Sequence, residues 1–120
     1  MTRNEPKPHA LRPAERLMRR RDFQAAYAGQ RSAADDTLIV YAHPNGLAHS
    51  RIGRSVAGKW GKAHRRNRFR RLVFEAFRLH KHELPTGYDI VVIPRKTIEV
   101  SLDDVARSML KLCKKLCEGK

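Results

Sequence analysis

A chain of 120 residues with 41% hydrophobic content fits one domain with a modest core. Its 26 lysines and arginines against 12 acids leave a formal charge of +14, a balance hard to reconcile with anything but a polyanionic partner. No apolar run approaches the roughly 20 residues that span a bilayer, and Met1 to Arg20 is polar, basic and proline-bearing rather than signal-like, so a cytoplasmic protein without membrane contact is expected.

The chain opens on a segment, residues 1–14, with Pro6, Pro8 and Pro13 among charges, which reads as a flexible basic tail ahead of a single domain over 15–120. Arg16, Arg19, Arg20 and Arg21 form a basic cluster. Asp22 then suits the cap of a short helix from Phe23 to about Ala28, with Gly29 as its stop; Phe23 and Tyr27, one turn apart, share a face. After a polar connection over 30–36, Thr37 to Ala42 is rich in β-branched and aromatic residues and predicts a strand. Pro44-Asn45-Gly46 predicts a turn, and Arg51 to Ala57 a second strand antiparallel to the first.

Gly58 releases the chain into a long helix predicted from about Lys62 to His82. At 100° per residue Phe69, Leu72, Val73, Ala76 and Phe77 fall on one side, Asn67, Arg71 and Arg78 opposite, and Arg68 and Arg70 on the flanks. One face docks on a core and the other is a cationic rail. A charge run is often only a solvated surface, but between Lys59 and Arg78 Glu75 is the sole acid, so the alternating signs of an ordinary surface helix are missing. The cations are mostly arginine, whose planar guanidinium matches phosphate through two parallel hydrogen bonds. Nucleic acid is the expected partner.

Pro85-Thr86-Gly87 ends the helix, and Tyr88 to Ile93 is an unbroken apolar run that predicts a strand buried on both faces, parallel to the strand before the helix. Ser101 and Asp104 form a capping box for a last helix, with Leu102, Val105, Ala106, Met109, Cys113 and Leu116 at helical spacing and Lys111, Lys114 and Lys115 near its end. The order α-β-β-α-β-α predicts an α/β (α+β) sandwich, a mixed and mainly antiparallel sheet with packed helices.

Chemistry-bearing clusters are scarce. Cys113 and Cys117 are one helical turn apart, poor geometry for a disulfide and too few for a closed zinc site, and the histidines form no ligand set, so no metal site in the protein is expected. The acids are scattered, which argues against a self-sufficient nuclease. A DNA-binding regulator lacks its helix-turn-helix pair. A general RNA-binding or ribosomal-type protein without a role in cleavage is the alternative that shares the charge and fold class.

The residues Arg51-Ile52-Gly53, Ser55-Val56, Lys59, Gly61, Ala63, Arg66-Asn67-Arg68, Arg71-Leu72, Ala76-Phe77 and Tyr88-Asp89-Ile90-Val91-Val92 resemble, at fixed spacing, the protein subunit of bacterial ribonuclease P. The resemblance takes in Arg16-Leu17, Asp22-Phe23-Gln24 and Tyr41 and covers nearly the whole chain. It implies a sandwich like one domain of ribosomal protein S5 with a left-handed β-α-β crossover, where general rules favour a right-handed one. It also implies a 1:1 ribonucleoprotein with a catalytic RNA that removes the 5′ leader of precursor transfer RNA, the Mg2+ and the hydrolytic site belonging to the RNA. Carried over by position, Lys59, Lys62, Arg65, Arg66, Asn67, Arg68, Arg70 and Arg71 would meet the catalytic RNA. Phe23, Tyr27, Tyr41 and Arg54 would line a cleft for the single-stranded leader. This chain departs from the family pattern at Gly58, where a lysine is usual, at Phe74, often basic, and at Arg54, commonly aliphatic. Phe74 has two open readings, a platform for an RNA base or a ring buried by the terminal helix, and so has Arg54, a cation in the cleft floor or a displaced solvent-facing strand residue.

Overall fold

The computed structural model describes residues 12–95 and 100–118. Four strands form one mixed sheet: β1 (Ser32–Ala34), β2 (Leu38–Pro44), β3 (Arg51–Arg54) and β4 (Tyr88–Pro94), in the order β1-β2-β4-β3. The β-branched runs predicted as strands take the two central places, pairing antiparallel with Val40 opposite Val92 and Tyr41 opposite Val91. Three helices pack on them: α1 (Arg20–Ala28), α2 (Ala63–His80) and α3 (Leu102–Glu118).

The strand predicted over 51–57 is shorter than expected and covers only Arg51–Arg54. It runs antiparallel to β2 and parallel to β4, as expected, but its neighbour in the sheet is β4, Ile52 opposite Ile90, and not β2. Ile90, Val91 and Val92 are fully buried and require cover on both faces and both edges. β4 therefore takes the place between β2 and β3, and the arginine-bearing β3 is left at the rim. Asp89 fixes this arrangement: Arg51 donates to it in bidentate fashion, Nε to Oδ1 at 2.8 Å and Nη2 to Oδ2 at 2.7 Å, and Asn45 Nδ2 donates to Oδ1 at 3.0 Å. The parallel pair joined by α2 is the expected β-α-β crossover. The rim of β3 is partly closed, since Leu17 N donates to Ile52 O at 2.9 Å.

β1 lies within the segment expected to be only a polar connection. Its three small residues carry no apolar alternation, and it is held by its ladder to β2. The chain is ordered earlier than the expected domain start: Pro13–Glu15 is a 3-10 turn, His49 Nε2 lies 3.1 Å from Ala14 O, and Lys81 Nζ reaches both oxygens of Glu15 at 3.1 Å. The rest of the expected tail, residues 1–11, lies outside the described residues.

α1 starts at Arg20, so Asp22 is not its cap but sits in the first turn, where a carboxylate favours the positive helix end. It ends at Ala28 with Gly29 as its C-cap, as expected; Gly29 keeps a helical φ of −68°, and the positive φ falls on Gln30 at 60°. α2 ends at His80 and tightens into a 3-10 turn over Lys81–Glu83, slightly short of the expected His82. α3 has the predicted capping box, Ser101 N donating to Asp104 Oδ2 at 3.0 Å and Asp104 N to Ser101 Oγ at 3.1 Å.

α2 and α3 cover one face of the sheet. Phe69, Val73, Ala76 and Phe77 from α2 meet Val105, Ala106, Met109 and Cys113 from α3 over Leu38, Val40, Ile52, Ile90 and Val92. The short α1 covers the other face, where Leu17, Ala26 and Val91 are buried with Phe23, Tyr27, Tyr41 and Ile93 against them. Nine residues of helix cannot roof four strands, so this face keeps Tyr41 and Ile93 only half-buried.

Candidate nucleic-acid interface

Two arrangements separated by the sheet bear on function. The first is the amino-terminal half of α2. Its apolar stripe is buried as predicted, with Leu72 half-buried at its border, so the opposite side presents Lys62, His64, Asn67 and Arg71 to solvent. Arg65, Arg66, Arg68 and Arg70 are half-buried on the flanks. Lys59 belongs to the 3-10 turn Gly58–Trp60 that leads into the helix. No acid stands in the first turn. Cations here oppose the positive end of the helix dipole at about 0.3–1 kcal/mol each, the reverse of what stability alone would select. A bound polyanion turns both terms favourable.

The rail is not a row of equivalent side chains. Arg66 Nη1 donates to Gly58 O at 3.0 Å and to Gly61 O at 2.6 Å, tying the turn before the helix to its first coil. Arg68 Nη1 donates to Val100 O at 2.9 Å, and Arg70 Nη1 to Asn67 Oδ1 at 2.9 Å. Arg65 lies with its guanidinium carbon 5.5 Å from the centre of the Trp60 ring. Each of these contacts uses part of a five-donor fork and leaves the group oriented. Arg78, expected on the rail, is instead paired with Glu75, whose hydrogen bond raises the arginine above its ordinary value. The rail therefore ends near Arg71.

The second arrangement is the aromatic group on the α1 face. Tyr27 and Tyr41 meet edge to face, with ring centres 5.0 Å apart and an interplanar angle of 79°. Phe23 packs beside them over Gly53, where an added Cβ would lie 2.8 Å from Phe23 Cζ. All three aromatics expected to gather are thus together, half-buried rather than sealed in the core. No residue pattern singles out Met18, which is 73% exposed between Leu17 and the exposed Arg19, Arg20 and Arg21.

Arg54 does not join this group, which corrects its expected place in the cleft floor. In β3 it shares the side of Ile52, whose side chain is in the α2–α3 core, while Gly53 faces Phe23 on the other side. Its guanidinium lies over Phe74 of α2, 3.6 Å from the ring centre. Phe74 is accordingly a half-buried ring at the edge of the core covered by a cation of this chain, and the two departures from the family pattern touch each other.

Neither arrangement carries hydrolytic chemistry. Among the described residues no three His, Cys, Asp or Glu side chains gather as a metal-binding group. A recess of about 420 Å³ is lined by Asp35, Asp36, Thr37, Asp104, Arg107, Ser108 and Lys111, away from both the rail and the aromatics. Its half-buried acid has structural partners: Asp35 accepts from Ser108 Oγ, from Lys111 Nζ at 3.1 Å, and from the amides of Thr37 and Leu38 at 2.8 and 2.9 Å. Burial pushes its pKa up, but those four donors outweigh it and hold the carboxyl well below the ordinary range. Neither Cys113 nor Cys117 is in a disulfide, and burial, then the neighbouring Cys117, pushes Cys113 up to about 12, away from thiolate chemistry. No helix among the described residues is long and apolar enough to cross a membrane.

Comparison with known proteins matches this geometry. The family model described as Ribonuclease P matches residues 11–117. The ribonuclease P protein component of Thermotoga maritima is 44% identical over 91 residues, covering 76% of this chain and 78% of the relative. That of Alkaliphilus oremlandii is 34% identical over 107 residues, covering 88% and 94%. Among solved structures, the ribonuclease P protein of Thermotoga maritima superposes with a TM-score of 0.76 at 40% identity, over 84% of this chain and 96% of that one. The ribonuclease P protein of Staphylococcus aureus does so at 0.73 and 30% identity, over 83% and 93%.

Proposed function

The chain belongs to the ribonuclease P protein family, and from that premise we propose that it binds two RNAs at once. The rail of α2 binds the catalytic RNA, and the aromatic group under α1 binds the single-stranded 5′ leader. Membership makes it the protein component of an endoribonuclease whose family name implies an RNA partner. The division of labour is our reading. It rests on one observation above all, the concentration of cations in the half of α2 where the helix dipole repels them, with no acid in the first turn.

The rail residues Lys59, Lys62, Arg65, Arg66, Asn67, Arg68, Arg70 and Arg71 form a surface for a folded RNA backbone: planar donors at fixed orientations suit phosphates and are indifferent to sequence. The aromatic group suits a different ligand. Half-buried rings beside Arg19, Arg20 and Arg21 offer stacking faces and screening charge, the combination that holds single strands of varied sequence. A leader that differs from one transfer RNA to the next needs that tolerance. The left-handed crossover implied by the family would set the two surfaces on opposite faces of the sheet with β3 between them.

The protein's own contribution to cleavage is positional and electrostatic. It brings two polyanions together by neutralising phosphates, so less divalent cation is needed to bring them together. Mg2+ and the attacking water are assigned to the RNA subunit in a 1:1 complex.

The leader assignment is tested by binding of precursor and mature transfer RNA to the reconstituted ribonucleoprotein. Tyr27→Ala or Tyr41→Ala is expected to weaken precursor binding by about 1 to 3 kcal/mol, the worth of one stacked base. Mature transfer RNA should bind as before. Equal losses for both RNAs in a variant that melts early would return the rings to the core.

A further inference from the structure

Phe74 carries two guanidinium groups that come from outside its helix. The Cζ of Arg54 lies 3.6 Å from the ring centre and that of Arg16 lies 5.4 Å from it. Arg54 Nη1 also donates to Arg70 O at 3.1 Å, which fixes the edge strand to α2 where Arg70 leaves the helix. Among the described residues no carboxylate pairs with Arg16, Arg54 or Arg70, whereas Arg51, Arg78, Lys81 and Lys111 each have one. Burial first, then the charges of Arg70 and Arg16, bring Arg54 down to about 10, so it stays cationic at neutral pH but against its surroundings.

A single arginine on an aromatic ring is ordinary packing worth about 0.5–1 kcal/mol at an exposed site. Three cations without a counter-ion, two of them half-buried, are not explained by packing, because mutual repulsion and lost hydration work against the free protein. We propose that Arg16 and Arg54, whose guanidinium groups lie on the Phe74 ring, form together with Arg70, whose carbonyl Arg54 holds, a subsite for a phosphodiester of the RNA bound along α2. The proposal deepens the RNA-binding reading and rests on it.

The position selects the RNA. Arg54 projects on the α2 side of the sheet, and Arg70 is hydrogen-bonded to Asn67 of the rail, so the subsite extends the rail sideways across β3. It does not open on the aromatic group beneath α1. Arg16, exposed at the rim beside Ile52, supplies the outermost donor. Phe74 holds the Arg54 plane in place, so the fork meets a phosphate already oriented.

The test is the affinity of the full chain for the catalytic RNA across a range of salt. Arg54→Gln and, separately, Arg16→Gln should each weaken binding about tenfold and lower the slope of log K against log salt by about 0.7–0.9, as expected for one lost phosphate contact. The melting temperature of the free protein should not fall in Arg16→Gln, whose side chain is exposed, and this keeps the test sound if Arg54→Gln disturbs packing. Arg71→Ala is measured alongside. If it lowers the slope while both glutamine variants keep wild-type affinity and slope, the subsite is wrong and the rail stands. If all three folded variants bind as wild type, the RNA-binding reading itself fails. A loss seen only with the leader of precursor transfer RNA would also overturn the placement proposed here.

Discussion

Gly53 shows how one residue controls the proposed leader surface. Its place is dictated by what lies above it: a Cβ would come within 2.8 Å of Phe23 Cζ and 3.0 Å of Leu17 Cβ, so Phe23 rests directly on backbone. Gly53→Ala is expected to displace that ring, costing about 1–3 kcal/mol of stability as overpacking does, measurable by urea denaturation. Leader affinity should fall with it. The double variant with Phe23→Leu should recover part of the stability but not the leader affinity, because space returns and the stacking face does not. The resemblance puts Tyr27 and Tyr41 in one cleft, and they meet at 5.0 Å. Arg54 could not be placed in the same way. Its strand alternation was readable, but which side of β3 faces α1 depends on the neighbour β3 takes in the sheet.

At the scale of elements the rail divides into residues that also build the fold and residues that do not. Arg68 is bonded to Val100 O just ahead of α3, and Arg66 to the turn before α2, so each alanine replacement removes a tether as well as a cation. Arg71 is exposed and makes no such bond among the described residues. Arg68→Ala should therefore lower both stability, by about 1 kcal/mol, and RNA affinity. Arg71→Ala should leave thermal unfolding unchanged and reduce only the salt dependence of binding, by about 0.7–0.9 in slope.

Asp35 makes a similar tie between the turn after β1 and α3. Its folded pKa is depressed, so its contribution is complete above the ordinary value of 3.8 and is lost as pH falls below that towards the folded value. Asp35→Asn should cost about 1–3 kcal/mol at pH 7, with the gap from wild type narrowing below pH 4 in thermal melts. Long periodic elements were legible from sequence: α2, α3 and the central strands all stand within a few residues of expectation. β1 was not, because three small residues have no pattern of their own. The orientation of β3 is legible but its neighbour is not: chain neighbours often pair, and here the need to bury β4 on both sides outweighs proximity.

For the molecule as a whole, a charge of +14 on 120 residues is a statement about partners. The α2 rail and the aromatic group lie on opposite faces of the sheet, with its two cores between them, and among the described residues no three His, Cys, Asp or Glu side chains gather to hold a metal. On the proposed function the protein assists cleavage and the RNA performs it. The direct measurement is cleavage of a precursor transfer RNA by this chain alone, by a bacterial catalytic RNA alone, and by the two together across a Mg2+ titration. The protein alone should give no mature 5′ end at any Mg2+ concentration, and the complex should cleave at lower Mg2+ and with less salt than the RNA alone. Cleavage by a nuclease-free preparation of the protein without RNA, or a catalytic RNA whose Mg2+ requirement the protein leaves unchanged, would contradict the account.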